Sequence, residues 1–510
     1  MPKQRTYHIL TLGCAKNAVD SEGMHDLLAR RGYEPVAQPR AAEVVIVNTC
    51  GFIGPSRDES MGVLREMAGQ KRPGQLLVAA GCLPALPGWE QRVRDQSGVD
   101  AVIRTQQWSG IADLVDDLTG NHTETWTESR LAADRKAETD ALIPLAMIDV
   151  ADITVIDADT IGDNGLFTRP APDTGLIASF GRSAGRPSAY VKIADGCNHT
   201  CAFCTIPSIK GPSVSKRPIA VLEEIRALVA GGTREAVLIS QNTGAYGQDL
   251  QPRTSLAELL GWLCDEVPEL PWLRMHYLYP THITPALIET LATHPQLVPY
   301  MDFPLQHAHP DVLRRMGRPS DATQTRRTIA ALREKLPDIA LRTTFIVGYP
   351  GETEEQFVTL LDFLREIRFD HVGAFTYCDE PGTRASLLTD DVPTEVKQER
   401  YARLMAVQRE ISLEKNRALV GQTLDVLIEG HGEIEDEAGG TAPISAGRAK
   451  RHAPEVDGLV FVAGTHPLGS IVPVRIAEGD EYDLWGDAPE LVATTADRTR
   501  RPNAKRRRHQ

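Results

Sequence analysis

Six of the eight cysteines in this 510-residue chain fall into two patterns that could hold iron. The first is Cys197-Asn-His-Thr-Cys201-Ala-Phe-Cys204, a CxxxCxxC directly after an apolar run that reads as a strand. Three thiolates from one loop can take three corners of a 4Fe–4S cube, leaving the fourth iron open to a small chelating molecule. The rival reading is a zinc site with His199 as fourth ligand. Zinc motifs come as two separated pairs, no second pair follows here, and His199 lies inside the tight loop.

The second pattern is dispersed. Cys14, Cys50 and Cys82 each follow a short apolar run, in Leu12-Gly13-Cys14, Asn48-Thr49-Cys50 and Ala80-Gly81-Cys82. Their spacing is one βα unit each, so parallel strands would bring all three to one sheet edge. Gly13, Gly51 and Gly81 would permit close backbone approach there. The bland alternative is three separate core cysteines. Cys264, among Trp262, Leu263 and Val267, reads as core. Cys378 ends a strand and also reads as core.

The elements that must position these thiols follow from the apolar pattern. Runs at Tyr7–Leu12, Val44–Asn48 and Leu76–Ala80 alternate with helical stretches, a parallel α/β arrangement. Residues 121–189 are acidic, then rich in Gly, Pro and Ser, and read as an insert with two strands and a linker. Six strands alternating with helices follow: Tyr190–Ala194, Ala236–Ser240, Leu273–Tyr279, Val298–Phe303, Leu341–Val347 and His371–Tyr377. These suit a partial parallel (β/α)6 barrel, with chemistry at the strands' C-terminal ends. A charged helix from Thr394 to about Leu419 leads to an all-β piece with runs around Leu424–Ile428, Leu459–Val462 and Ile471–Ile476. That piece reads as a small barrel. The fold class is therefore α/β with a small all-β C-terminal barrel.

Composition narrows the function. Forty-two per cent hydrophobic and 24% charged residues describe a globular protein, and no apolar run is long enough to span a bilayer. No signal-peptide core follows the N-terminus, so a cytoplasmic location with no membrane partner is expected. The net charge of -14 argues against broad binding to a phosphate backbone. No Ser/His/Asp triad or Walker-type loop points to hydrolase or nucleoside-triphosphatase chemistry.

Cys197, Cys201 and Cys204, with Phe203 inside the motif, resemble the signature of the radical S-adenosylmethionine (SAM) superfamily. Thr344-Phe-Ile346-Val347-Gly348-Tyr-Pro-Gly351-Glu352 is similar to that superfamily's fifth-strand segment, which lies against the adenine; Thr344 stands where the usual first glycine would be. Ser240-Gln241-Asn242 falls at the methionine-binding segment of strand two, replacing the more familiar acidic version. An N-terminal three-cysteine domain, a radical SAM core and a small β-barrel together resemble the methylthiotransferases, whose barrel is called a TRAM domain. Gly13-Cys14-Ala-Lys-Asn17, Val47-Asn48-Thr49-Cys50-Gly51-Phe52-Ile53 and Gly81-Cys82-Leu83 match the family's first domain. The expected organisation is a methylthiotransferase domain over 5–120, the insert over 121–182, the radical SAM core over 183–414, a TRAM-like barrel over 416–486 and a disordered basic tail over 487–510.

The resemblance implies two 4Fe–4S clusters and SAM. Cys197, Cys201 and Cys204 would hold the radical-generating cluster, and Cys14, Cys50 and Cys82 the auxiliary one, at which the sulfur is held. SAM would serve as methyl donor and radical source, the cofactor carrying the difficult chemistry. Phe203, Gln241, Ile346 and Gly348 would contact it. Gln306 and His307 follow a strand and line the mouth, to touch SAM or substrate; the plainer reading of His307 is that it orients a loop. Tyr377 and Asp379, at the end of the sixth strand, share that ambiguity.

The family divides between transfer-RNA adenosine and an aspartate of small-subunit ribosomal protein twelve as acceptor. Residues 416–486 hold five Lys/Arg against twelve Asp/Glu. An RNA-binding barrel should be basic, whereas an acidic one complements a basic ribosomal protein. Ala453–Val460 and Glu481–Gly486 resemble the barrel of the ribosomal-protein branch. The aspartate is therefore the expected acceptor, with transfer RNA, or a non-catalytic iron–sulfur carrier, as alternatives. An electron donor such as flavodoxin or ferredoxin is implied. The tail carries seven Lys/Arg from Arg498 onward and offers a contact to ribosomal RNA.

Overall fold

The computed structural model describes residues 5–120, 186–318, 322–435 and 441–488. The expected insert (121–182) and all but the first two residues of the expected tail lie outside them. The chain forms two compact units, Met1–Gly51 with Ser56–Phe180 and Phe52–Pro55 with Gly181–Gln510.

The first unit is built on one sheet. Its strands are β1 (Thr6–Thr11), β2 (Glu34–Pro35), β3 (Val44–Thr49), β4 (Leu76–Gly81) and β5 (Ala101–Arg104). They run parallel in the order β2-β1-β3-β4-β5. Every residue of β3 is buried, as an unbroken apolar run in a parallel sheet should be. The short outer strands β2 and β5 add to the three runs visible in the sequence. Asp116, from the last helix (Ile111–Leu118), accepts hydrogen bonds from Tyr33 (2.9 Å) and Arg31 (2.6 Å), which fastens that helix to the first crossover.

The second unit begins at β6 (Ser188–Lys192), two residues inside the stretch read as linker. β7 (Ala194–Asp195) pairs antiparallel with β8 (Val214–Ser215). The remaining core strands are β9 (Glu235–Ile239), β10 (Trp272–Met275), β11 (Tyr300–Asp302), β12 (Ala340–Val347) and β13 (His371–Thr376). Two parallel three-stranded sheets, β10-β9-β6 and β11-β12-β13, are linked through a bridge between Leu273 and Leu297. Helices cover the sheets and share one apolar core with them, from Val191 through Leu238, Met301 and Phe345 to Leu404. Capping boxes at Ser255/Glu258 and Thr353/Gln356 start two of these helices where the sequence changes from turn to apolar period.

After the helix Thr394–Arg417, five strands close a barrel: β14 (Thr423–Glu435), β15 (Thr441–Ala449), β16 (Val460–Ala463), β17 (Ile471–Gly479) and β18 (Leu484–Asp487), in the order β14-β15-β16-β18-β17. Three of these were visible as apolar runs. β15 was not, because its sequence is rich in Ala, Ser and Gly; Gly447 lets the backbone of Leu427 approach where a side chain would collide.

A segment of this barrel, Arg448–Asp457, seats against the N-terminal ends of the core strands. Glu235, the first residue of β9, takes Arg274 of β10 on one carboxylate oxygen (2.7 Å) and Arg448 of β15 on the other (2.5 Å). All three are fully buried. Arg448 also binds Glu429 (2.7 Å), and the Arg274 guanidinium lies 4.8 Å from the Tyr300 ring centre. Asp457 accepts from Tyr300 (2.6 Å) and from the Ala453 amide (2.8 Å), while Arg451 reaches Asp370 (3.0 Å). Trp272, Val298, Tyr300 and Ala340 of the core pack with Leu427 and Ala453 of the barrel beside this network.

Burial alone would raise the pKa of Glu235, but Arg274 and Arg448 outweigh it and hold it at about 2. Its contribution to stability is therefore complete above the ordinary value of 4.5 and lost as pH falls toward 2. Glu235→Gln leaves the buried Arg274 without its carboxylate and Arg448 with Glu429 alone, and should cost about 3–5 kcal/mol at pH 7. The gap from wild type should shrink as pH falls from 4.5 toward 2, because the protonated carboxyl then resembles the amide. Urea unfolding at a series of pH values measures it.

Candidate functional site

The first set of thiols sits where parallel strands end. Cys14 follows β1 and caps the helix Ala15–Arg30, Cys50 follows β3 and Cys82 follows β4. Cys50 and Cys82 are buried and Cys14 is exposed. The glycines work as the spacing implied. A Cβ on Gly13 (φ +91°) would stand 2.8 Å from the Cys50 Cβ, and one on Gly51 would stand 3.0 Å from the Cys82 carbonyl oxygen.

Asn17, part of the first motif but given no role by sequence reasoning, joins the three strand ends. Its amide donates to the carbonyls of Leu12 (2.9 Å) and Thr49 (3.0 Å), and its oxygen accepts from the Cys82 thiol at 3.5 Å. Ser60 accepts from the Cys50 amide (3.1 Å) and donates to the Cys50 carbonyl (2.9 Å). The strand ends are thus held by side chains from the following helices, leaving the thiols on one edge.

The second set, Cys197, Cys201 and Cys204, follows β7 in a loop. The amide of Ala202 donates to the Met316 carbonyl (2.8 Å), and that of Ala385 to the Ala202 carbonyl (2.8 Å), so the loop is held from two sides. Burial pushes the Cys204 thiol up to about 12, with a further rise from Cys201 and Cys197, and raises Cys197 as well. Both are neutral thiols at pH 7 until a metal takes the place of the proton. His199 does not turn toward the thiols as a fourth ligand. Its ring stacks on Tyr279 at 3.9 Å, and burial, His282 and Arg318 lower its pKa to about 4. Among the described residues no three His, Cys, Asp or Glu side chains gather closely enough to hold one metal ion. Three thiols in each set match the donor number of a 4Fe–4S cube that keeps one iron open.

Around the second set, two groups of predicted residues come together. Phe203 and Ile346 pack against one small apolar cluster with Ala202, Val312, Met316, Tyr349 and Tyr377. Gln306, with φ +73°, bridges to β12: its amide donates to Thr344 (2.8 Å) and its carbonyl accepts from Ile346 (2.7 Å). Gly348 (φ +71°) leaves room for Lys397, and its amide donates to the buried Glu352. His307 also meets Glu352. Its Nδ1 accepts from the His309 amide (2.9 Å), so Nε2 carries the proton and donates to Glu352 (3.1 Å). Both ring nitrogens are spent within the protein, and burial lowers the pKa, which keeps the ring neutral. Its visible role is to hold the loop that presents Gln306.

Gln241 stands apart from that group. Its amide donates to Asp195 (2.6 Å), which also receives Lys210 (3.1 Å) and Lys192 (3.3 Å). Burial opposes the charge of Asp195, yet the lysines hold its carboxyl well below the usual range. Two buried lysines thus meet one carboxylate beside Gln241. Sequence reasoning missed Asp195; its signal was an acid two residues before the first cysteine of the motif. Tyr377 is buried with its hydroxyl toward Asp379 (3.5 Å). Cys264 is core, as expected, whereas Cys378 is only half buried and stands outside the core expected for it.

Comparison with known proteins agrees with this architecture. Residues 6–104 match the uncharacterized protein family UPF0004, residues 191–364 the radical SAM superfamily and residues 420–488 the TRAM domain. The ribosomal protein uS12 methylthiotransferase RimO of Chloroflexus aurantiacus is 48% identical over 94% of this chain and 99% of its own length. Its counterparts from a Roseiflexus species (45%, over 98% and 99%) and a Synechocystis species (41%, over 96% and 99%) carry the same name. Among solved structures, the radical SAM methyltransferase TsrM from Kitasatospora setae, with cobalamin and a [4Fe-4S] cluster bound, is similar in fold. Its TM-score is 0.52 at 15% identity, over 84% of this chain and 77% of that one.

Removing the Asn17 side chain strips partners from two backbone carbonyls and a thiol at the strand ends. Asn17→Ala should destabilise the first unit by about 1–3 kcal/mol, seen as a lower urea midpoint and faster amide exchange in β1 and β3.

Proposed function

The chain belongs to the RimO family of radical SAM methylthiotransferases, and on that premise we propose that it adds a methylthio group to the β-carbon of an aspartate in ribosomal protein uS12. Two clusters are assigned, one on Cys14, Cys50 and Cys82 and one on Cys197, Cys201 and Cys204. When bound, the clusters and SAM supply the hydrogen-abstracting radical, the sulfur and the methyl group. The observation that carries the reading is that three thiols stand at the ends of parallel strands in the first unit, tied by Asn17, and three more in one loop of the second unit, held by backbone hydrogen bonds to Met316 and Ala385.

The chain's own residues bind and orient. The apolar cluster bordered by Phe203 and Ile346, edged by Gln306 and Gly348, offers a flat surface for the adenine. Gln241, held by Asp195 together with Lys192 and Lys210, stands where the methionine part of SAM would lie. Buried aromatic walls, Tyr349 and Tyr377 among them, keep water from the reacting carbon.

The barrel supports a protein acceptor. Of its five Lys/Arg, Arg448 and Arg451 are turned inward onto Glu235 and Asp370, so its outer face is more acidic than the residue count suggests. That face suits a basic ribosomal protein better than a phosphate backbone. A cytoplasmic location, a flavodoxin or ferredoxin as reductant, and a contact between the basic tail and ribosomal RNA complete the proposal. Among the described residues no helix is long and apolar enough to cross a membrane.

Cys197→Ala should abolish 5′-deoxyadenosine formation. Cys14→Ala should spare it and block sulfur insertion, measured by chromatography and by mass spectrometry of uS12. Full methylthio product from Cys14→Ala would refute the auxiliary assignment, and a methylthio-aspartate retained in cells lacking the protein would refute the acceptor.

A further inference from the structure

β13 ends its sheet, so one of its edges has no strand beside it. Its neighbour shows which backbone groups face that edge. The Thr344 carbonyl and the Ile346 amide of β12 bond to Gln306 on the far side, so the alternate residues, Phe345 and Val347 among them, face β13. Tyr377 donates to the Val347 carbonyl, and counting back by twos, Phe375, Gly373 and His371 also face β12. Val372, Ala374 and Thr376 point the other way. Among the described residues, their amides and carbonyls have no hydrogen-bond partner.

A row of unpaired donors and acceptors is a template for another strand, and folds blunt such edges with proline, lysine, brevity or closure. This chain does so elsewhere: β2 is two residues long and ends in Pro35, and the C-terminal barrel is closed. β13 has six residues with neither proline nor lysine. β9, β10 and β11 are buried throughout, whereas no residue of β13 is. Phe375 is 57% exposed and Thr376 is exposed beside it. Consecutive residues of a strand face opposite sides, so the C-terminal half of β13 is uncovered on both faces. β6, the strand at the other end of the core's sheets, is buried at the matching place, at Val191 and Lys192.

The open half lies beside the site. Phe375 pairs in register with Ile346, which packs with Phe203 of the cysteine loop, and Ala385 donates to the Ala202 carbonyl of that loop. Charge selects the occupant. The segment 378–393 after β13 holds four acids and one arginine, and Arg384 is spent on the Thr200 carbonyl. Asp379 and Asp391 are exposed and form no ion pair among the described residues. A second copy of this chain would set like charges against each other, whereas a basic protein is attracted.

We propose that an extended segment of the acceptor protein, uS12, adds as a strand to the free edge of β13. The inference rests on the uS12 reading. Main-chain pairing supplies affinity, Phe375 supplies an apolar contact, and a single register turns the aspartate side chain toward the barrel interior rather than away from it.

Hydrogen exchange of the full chain, with its clusters reconstituted, tests this alone and with uS12. The amides of Val372, Ala374 and Thr376 should exchange fast in the free protein and at least about tenfold more slowly with uS12 bound, while those of β11 stay unchanged. Thr376→Pro removes one outward amide and leaves the β12 ladder intact. It should weaken uS12 binding about tenfold, as expected for one lost hydrogen bond. Thr376→Val keeps the amide and should bind like wild type, with iron content and thermal midpoint unchanged in both variants. If Thr376→Pro lowers the midpoint, the exchange of wild type decides alone. Bound uS12 that leaves β13 exchange unchanged, or Thr376→Val weakening binding as much as Thr376→Pro, overturns the proposal. So does protection that rises with the enzyme's own concentration, which marks a second copy, or that vanishes when the tail from Arg498 is deleted, which marks the tail. A chain that binds transfer RNA and not uS12 refutes the acceptor reading itself, and this proposal with it.

Discussion

One carboxylate shared by two guanidiniums governs how the second unit is put together. Glu235 stands at the N-terminal end of β9 with Arg274 beside it in the same sheet, and Arg448 arrives from the β-barrel. Neither arginine could be buried there alone, and neither could the carboxylate. Each makes the others tolerable, and the geometry permits one seating of barrel on core. Asp457 and Asp370 repeat the logic at the ends of β11 and β13. The N-terminal ends of the parallel strands are thereby closed with polar groups. The cysteine loop, Gln241 and Gln306 follow the opposite ends, where a parallel barrel concentrates chemistry.

The same economy appears at the first set of thiols. A parallel sheet delivers three strand ends to one edge, but strand ends fray unless their last carbonyls are bonded. Asn17 supplies those bonds for β1 and β3 and touches the Cys82 thiol. Gly13 and Gly51 allow the backbones to crowd together. At the second set the loop has no sheet edge to rest on. Backbone bonds to Met316 and Ala385 and the stack of His199 on Tyr279 do that work.

Much of this was legible in the residues, and the reasons differ from place to place. The two sets of thiols were legible because their spacing is regular, and the six core strands because each is an apolar run between helical periods. β15 stayed hidden because its positions are filled by small residues, and β18 because four residues carry too little pattern. The partners of Gln241 and His307 could not be read, since each is a contact across the fold. Arg448 and Arg451 show the limit most plainly. In a charge count they dilute an acidic barrel, whereas in the fold they are interior groups neutralised by the core. His307 goes the other way: its place after a strand suggested a ligand contact, and both of its nitrogens turn out to be occupied by neighbours.

Glu235 and Arg448 are 213 residues apart in the chain. At a ribosomal pace of about 5–20 residues per second, roughly 10–40 s separate the synthesis of the two. During that interval the nascent core carries an unsealed floor, with Trp272 and Tyr300 uncovered. The radical-bearing domain therefore cannot finish folding in the order in which it is made. It waits for the last domain, and a chain that stops short of β15 leaves the ribosome with a sticky, half-closed barrel that is a natural client for chaperones.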